Sequence, residues 1–413
     1  MKLLLINHYA GTPALGMEFR PYHLAREWVR LGHAVQIVAA DFSHVRAHQP
    51  ARAAHRGATA ATDELIDGIA YRWLPTPRYV GNGVGRVANI AAFLAGLWRD
   101  AGRWARDFRP DAVIASSTYP MDIWPARRIA RRAGAKLVWE LHDLWPASPI
   151  ELGGMSPRHP FIRWVQVAED AACRDADVVV SMLPKVHAHL AAHGLDLRKL
   201  HIVPNGVDPE AWAAVPEPLR ADIAAAIDAA QAAGECVVVH AGSMGMPNAL
   251  DVLLDAAALL RAQPLRFVLV GDGHERARLA QRIAAEGLSR VQWFAPVPKT
   301  QVPALLARAD IATLGWRRSP LYRFGIAPNK LMDYMMAGRC VLHAVDAGND
   351  PVAEAGCGLT VAPEDPAATA AGLQRLAALG AAERSALGAR GRAFVLAHHS
   401  YPVLARRFLE ALS

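Results

Sequence analysis

Residues Ala327 to Gly338, APNKLMDYMMAG, set a proline, a lysine and an aspartate at helical spacing. Pro328 suits the first helical position, because its missing N–H is one that no intrahelical acceptor would take. Ala327, at the expected cap, offers no side-chain oxygen to the first amides. The N–H groups of Asn329 and Lys330 then point out of the helix start, where the macrodipole favours an anion. Lys330 adds a full positive charge there. Asp333 lies within a turn of it, placed to accept hydrogen bonds from hydroxyls, and Gly338 supplies the stop. Diphosphate on the amides and Lys330, with ribose on Asp333, is the ligand this chemistry suits. The competing reading is a buried helix with one surface lysine.

Other residues with chemical potential follow short apolar runs. Gly11, Thr12, Pro13 and Gly16 form a loop before GMEFRPYHLAREWVRLGH, and glycine lets a backbone approach a diphosphate. Ala241-Gly242-Ser243-Met244-Gly245 and Gly271-Asp272-Gly273-His274-Glu275 end two further runs. Neither is a P-loop or a dinucleotide fingerprint, so ATP hydrolysis and NAD binding are unsupported. WELHDLWP places His142 and Asp143 at the end of a buried strand. Asp175-Ala176-Asp177 has the form of a metal-binding DxD but sits between a helix and a strand, where a structural role is expected. His187 and His189 do not share a helical face, so no metal is expected at His187-Ala188-His189 with His193.

The elements that must position these residues are short β-branched runs alternating with Ala-rich helices. The expected strands are Leu3–Ile6, Val35–Ala39, Ala112–Ala115, Lys136–Glu140, Val178–Ser181, Cys236–His240, Phe267–Val270, Val291–Phe294, Ile311–Leu314, Cys340–His343 and Gly358–Val361. Continuous apolar runs argue for parallel sheets covered on both faces. A chain of 413 residues suits two domains, with a turn-rich break at Pro204-Asn205-Gly206-Val207-Asp208. We expect an α/β fold of two doubly wound, Rossmann-like domains, 1–203 and 204–390, facing a central cleft. A C-terminal helix within 391–413 is expected to return to the first domain.

With 53% hydrophobic residues there is no room for a large disordered tail, and no apolar run reaches membrane-spanning length. The five-residue apolar run near the N-terminus is too short for a signal peptide. Cys173, Cys236, Cys340 and Cys357 show no paired spacing, which points to a reduced cytoplasmic setting. The net charge of +7 lies wholly in residues 1–200, with 25 basic against 18 acidic residues; residues 201–413 hold 20 of each. The surplus concentrates in Arg46–Arg56 and Arg86–Arg109. In the latter, Trp98 and Trp104 stand among Arg99, Arg103 and Arg106. Such a stretch reads as an interfacial membrane helix or as an amphipathic helix on its own sheet. No nucleic-acid motif accompanies the charge.

NHYAGTPALGMEFRPYHLAREWVRLGH, WELHDLWPASPIELGG, VVSMLPKVHAHL, VPNGVD, AGSMG, GDGHE, APNKLMDYMMAGR and GNDPVAEAGCGLTVAPEDP occur in that order. Together they resemble family 4 of the retaining, nucleotide-sugar-dependent glycosyltransferases, of GT-B architecture. The WbuB-like branch, which adds N-acetyl-L-fucosamine or a related N-acetylated deoxyhexosamine in O-antigen, lipopolysaccharide and capsule assembly, is the most similar. The resemblance implies a UDP-sugar donor, no metal or other cofactor, and a polyprenyl-diphosphate-linked acceptor at the cytoplasmic face of the inner membrane.

It assigns His142 to the donor sugar and, with Lys330, to catalysis. Gly16, Ser243, Asp272, Gly273, Asn329 and Lys330 fall to the donor nucleotide, the backbone of Ala295–Pro298 to its base and Asp333 to its ribose. The chain departs from the family in two places. Gly325, Ile326 and Ala327 replace the usual acidic residue, and Met246, Pro247 and Asn248 replace the usual arginine and lysine after the GS-type loop. Phosphate charge would then fall to Lys330, with Arg317 or Arg323 in support. A UDP-hexosamine epimerase of the same architecture and a non-catalytic membrane-associated scaffold are the alternatives.

Overall fold

Eight strands build the first of two sheets: β1 (Lys2–Ile6), β2 (Ala34–Ala40), β3 (Thr62–Ile66), β4 (Ile69–Leu74), β5 (Ala112–Ala115), β6 (Lys136–Leu141), β7 (Val178–Ser181) and β8 (Leu200–Ile202). Their order is β3-β4-β2-β1-β5-β6-β7-β8, parallel except for the edge pair β3–β4. Six more form the second: β9 (Cys236–Ala241), β10 (Leu265–Val270), β11 (Val291–Phe294), β12 (Ile311–Gly315), β13 (Cys340–Ala344) and β14 (Gly358–Val361), in the order β11-β10-β9-β12-β13-β14. The second sheet is parallel throughout. The computed structural model describes residues 1–16, 19–50, 61–81 and 83–413. Met17 and Glu18 of the first glycine loop, and residues 51–56 of the first basic stretch, lie outside the described residues.

The chain divides into two units, Met1–Asn205 with Tyr401–Ser413, and Gly206–Ser400. In the second unit Val237 and Val239 enter one apolar cluster while Val238, between them, enters another. Both faces of β9 are therefore covered, which is why the strand reads as a continuous apolar run. The first unit is completed by the last helix, Tyr401–Ala411, whose Tyr401, Leu404 and Phe408 join Trp28 and the β1, β2 and β7 side chains. Trp28 Nε1 donates to Ala405 O at 3.1 Å.

Three strands have no counterpart among those expected from the sequence. β3, TDELI, is an exposed edge strand with two acidic residues; β4 alternates, IAYRWL; β8 has three residues. None is a continuous apolar run.

The basic stretch 86–109 starts as an amphipathic helix that buries Ile90, Phe93 and Leu97, but it is not one continuous helix. A helix covers Val84–Arg99, breaks at Asp100, and resumes as a short turn and a wider one, Trp104–Phe108. Trp104 is buried at 4% exposure, while Trp98 is 45% exposed and packs under the Arg128 guanidinium. Arg99 pairs with Asp100, and Arg103 and Arg106 both pair with Asp107. Arg46, of the other stretch, is buried and donates to Ala10 O and Ala40 O. Arg99, Arg103 and Arg106 are thus paired at the surface, and Arg46 is spent internally. Among the described residues no helix is long and apolar enough to cross a membrane.

Candidate functional site

In the second sheet the strand order reverses at β9, which lies between β10 and β12. Loops leaving such a point are where ligands of open α/β sheets gather. Gly242 follows β9 with φ 133°, a conformation that side chains rarely adopt. The loop after β10 lies so close that a Cβ on Gly271 would stand 1.8 Å from Gly242 O. Met244 N–H donates to Asp272 O at 2.8 Å and Glu275 N–H to Met244 O at 3.2 Å. The two glycine loops are thereby joined backbone to backbone.

Lys330 lies across this junction. A Cβ on Gly242 would meet its Cε at 2.4 Å. Its Nζ donates to Ser243 O at 3.2 Å and to Asn248 Oδ1 at 2.8 Å, leaving one of an ammonium's three donors. Among the described residues no carboxylate pairs with it, and burial lowers its pKa to about 8. An unpaired, partly desolvated ammonium gains from an incoming anion.

The helix around it runs Asn329–Met336, with Pro328 as its cap at φ −77° and ψ 127°. This corrects the expected start by one residue: Pro328 is extended, not helical. The cause lies just upstream, where Asn349 accepts the Ile326 N–H at 2.7 Å and donates to Ile326 O at 3.1 Å, holding the approach open. Asn329, Lys330 and Leu331 become the first turn, whose amides have no intrahelical acceptor. The Tyr334 hydroxyl accepts from Ala241 N at 2.8 Å and donates to Ala241 O at 3.0 Å, fixing the helix to the loop after β9.

Asp333 forms an ion pair with Lys299 and is 14% exposed. Burial raises its pKa, and Lys299 opposes that shift. Pro298 caps the short turn Lys299–Gln301 and so bears on the same place through its neighbour. Ala295 O accepts from Arg220 Nη1 at 3.2 Å. Asp272 Oδ1 accepts the Gly273 N–H at 2.8 Å and pairs with Arg276.

The two supporting arginines are otherwise engaged. Arg317 pairs with Asp251 and Glu364, while Arg323 donates to Pro320 O and lies over the Phe324 ring. Lys330, Ser243, Asn329, Asp333, Asp272 and Gly273 thus belong to one loop-and-helix assembly, with Asn248 and Lys299 added to it.

In the first unit the loops after β1 and β5 occupy the corresponding reversal. Gly16 N–H donates to Thr12 O at 2.9 Å, and a Cβ on Gly16 would stand 3.1 Å from that of Ala47. His142, just past β6, is nearly buried; its Nε2 lies 3.0 Å from Ser116 Oγ and 3.2 Å from Glu140 Oε2. Ser116 Oγ donates to Glu140 Oε2 at 2.6 Å, and Arg20 Nε donates to Glu140 Oε1 at 2.9 Å. Arg20 also donates to Val203 O and Pro204 O. Burial alone would raise the Glu140 pKa, but Arg20, His142 and Ser116 together hold it down at about 2. Glu140 is therefore an ionised anchor that orients His142. Asp143 accepts from Leu144 N and Ser148 Oγ, closing a turn. Asp122 is fully buried, with Oδ2 accepting from Ser117 N and Oδ1 without a partner among the described residues; burial raises its pKa to about 7.

Two family descriptions match, one per unit: a glycosyl transferase 4-like domain over residues 16–206, and glycosyl transferases group 1 over residues 235–378. Each unit thus matches a glycosyltransferase description over most of its length. The putative colanic acid biosynthesis glycosyl transferase WcaI of Escherichia coli (strain K12) is 28% identical over 143 residues. That match spans 34% of this chain and only 35% of the length of the curated relative. Sucrose-phosphate synthase from Thermosynechococcus elongatus is similar in fold, with a TM-score of 0.72 and 17% identity over 99% of this chain and 98% of that one. HepE of Anabaena, solved in complex with UDP-glucose, has a TM-score of 0.66 and 16% identity over 100% and 99% of the two chains. The architecture of the chain is GT-B.

Sequence reasoning missed Glu140, Ser116 and Arg20, which are brought together from across the first unit and share no local motif. It missed Lys299 because a lone lysine after a proline carries no signal. Nor did it pair the right histidines: His189 and His193, four apart, are the two that share a helical face. The DxD carboxylates are structural, Asp175 pairing with Arg127 and Arg174, and Asp177 accepting from Leu137 N.

Proposed function

We propose that this chain is a retaining transferase that moves a sugar from a UDP-sugar to a lipid-linked saccharide. The unpaired Lys330 ammonium lying across the Gly242 loop, at the start of the Asn329–Met336 helix, carries the reading. Departure of the nucleotide diphosphate builds negative charge on its leaving oxygen, and Lys330 with the first-turn amides would stabilise that charge. One preorganised donor of this kind contributes about 3–4 kcal/mol. Asp333, released from Lys299 by ribose hydroxyls, would hold the nucleoside. His142, oriented by Glu140, would contact the donor sugar. The charge on the diphosphate is then met by protein groups, without a catalytic metal. Retention follows if the leaving phosphate takes the acceptor's proton on the same face.

The UDP donor is supported by HepE, whose fold this chain shares and which was solved with UDP-glucose. WcaI supports an acceptor in surface-polysaccharide assembly. N-acetyl-L-fucosamine or a related N-acetylated deoxyhexosamine is the proposed sugar. The proposed acceptor is polyprenyl-diphosphate-linked, met at the cytoplasmic face of the inner membrane during O-antigen, lipopolysaccharide or capsule synthesis. An epimerase is disfavoured because Asp143, which would have to serve as a second acid–base group beside His142, closes a turn. A scaffold would not need the lysine at all.

A donor screen with product mass analysis tests the reading. Transfer or slow hydrolysis of a UDP-sugar is expected; an isomerised sugar nucleotide would replace it with an epimerase, and no turnover of any donor with a scaffold.

A further inference from the structure

The helix Pro160–Asp175 carries Glu169, whose side chain is fully buried. Its neighbours are the helix His187–Ala192 and the cap His193, which set His189 and His193 on one face. Glu169 Oε1 lies 3.0 Å from His189 Nε2, and Glu169 Oε2 lies 4.0 Å from His193 Nε2. One ligand atom from each of the three residues lies within 4.8 Å of the others. No lysine or arginine pairs with Glu169 among the described residues; its other contact is Gln166 Nε2 at 2.9 Å. A buried carboxylate faced only by an amide and two imidazoles is short of positive charge.

We propose that Glu169, His189 and His193 form a binding site for one divalent transition-metal ion, with zinc the best fit to the ligands. Two imidazole nitrogens and one carboxylate oxygen with an open fourth position make a common zinc set. Bonds of about 2.0–2.2 Å in a tetrahedron hold ligand atoms roughly 3.3–3.5 Å apart. Measured to the two oxygens of Glu169 in turn, the distances are 3.0 and 4.0 Å, from which small side-chain rotations reach that spacing. The longer one is too wide for a hydrogen bond but spans an ion. His193 is also held in place, since its Nδ1 lies 2.9 Å from Asp170 Oδ1 and 3.1 Å from Gln166 Nε2, itself a donor to that carboxylate. A proton held on Nδ1 by that carboxylate leaves the Nε2 lone pair facing Glu169, the carboxylate–histidine–metal arrangement. His189 and His193 are 16% and 26% exposed, so an ion can enter from solvent. The ion would tie the two helices together. None of its ligands belongs to the assemblies around His142 or Lys330, so the site stands or falls independently of the proposed transfer reaction.

The test is zinc content of the full chain, stripped with chelator and equilibrated against micromolar Zn²⁺, together with the visible spectrum after Co²⁺ loading. About one zinc per chain is expected, with the absorption of four-coordinate cobalt and a higher Tm in the loaded form. His189→Gln or His193→Gln should weaken zinc affinity about 100-fold, and Asp170→Asn about 10-fold. Circular dichroism checks that each variant folds; should the histidine variants fail to, Asp170→Asn, half exposed in the parent, decides alone. A wild-type chain that stays free of zinc, or folded variants that bind it equally, would overturn the site.

Discussion

The two loop clusters treat charge in opposite ways. Around His142 the buried Glu140 is met by Arg20, Ser116 and the imidazole, and its charge is fully balanced within the unit. Around Lys330, among the described residues, the ammonium has only a carbonyl and an amide oxygen for company. A carboxylate satisfied by its own fold holds a neighbour in place. An ammonium left without a counter-ion is held ready for one brought from outside. The pKa directions agree: Glu140 is stabilised in its charged form, whereas Lys330 is pushed towards its neutral form.

The largest effect should come from breaking the balanced cluster. Glu140→Ala leaves the Arg20 guanidinium buried without its partner, and such losses typically cost about 3–5 kcal/mol. Denaturant unfolding of the full chain measures it; a cost under about 1 kcal/mol would mean that Glu140 is not the anchor of its cluster. The same group makes the chain acid-sensitive. Its folded pKa lies below the usual value of 4.5 for glutamate, so its contribution is present above that value and is lost as pH falls towards about 2.

Lys330→Ala should cost turnover about 10²–10³-fold and weaken UDP binding, while leaving folding intact. Calorimetry with UDP decides: unchanged affinity removes Lys330 from the site. His142→Ala sharpens the contrast, since its cluster belongs to the other unit. Turnover should fall about 100-fold, the lower end for a positioned catalytic side chain, with UDP affinity nearly constant. Collapse of UDP binding in a folded His142→Ala protein would assign the histidine to the nucleotide.

A pH titration of UDP affinity probes the poised charge directly. Lys330 loses its proton near pH 8 in the free chain. Above that pH, UDP binding must take up a proton, so affinity should decline as pH rises through 8. Lys330→Arg, charged throughout, should flatten the profile; identical slopes would show that another group titrates.

The smallest effect concerns the membrane. Trp98 remains exposed, but Arg99, Arg103 and Arg106 have acidic partners. Changing these three arginines to serine should still weaken sedimentation with anionic vesicles, by at most about 1 kcal/mol per residue. Equal binding by wild type and triple variant, or none by either, rules out this surface.

Legibility in the sequence followed locality. Buried parallel strands announced themselves because each is a continuous apolar run, as in Val237–Val239. Lys330 and Asp333 were legible as chemistry because one short helix carries both. The Arg20–Glu140 pair was not, since only the sheet order brings the two residues together across 120 positions. Trp104 misled because an aromatic among arginines looks the same whether it faces water or packs inward.

The last helix gives the order of synthesis a structural meaning. Tyr401, Leu404 and Phe408 complete a core begun by Leu3 and Trp28, so the first unit keeps an apolar face open until residues 401–411 have been made. The second unit, contiguous from Gly206 to Ser400, can close first.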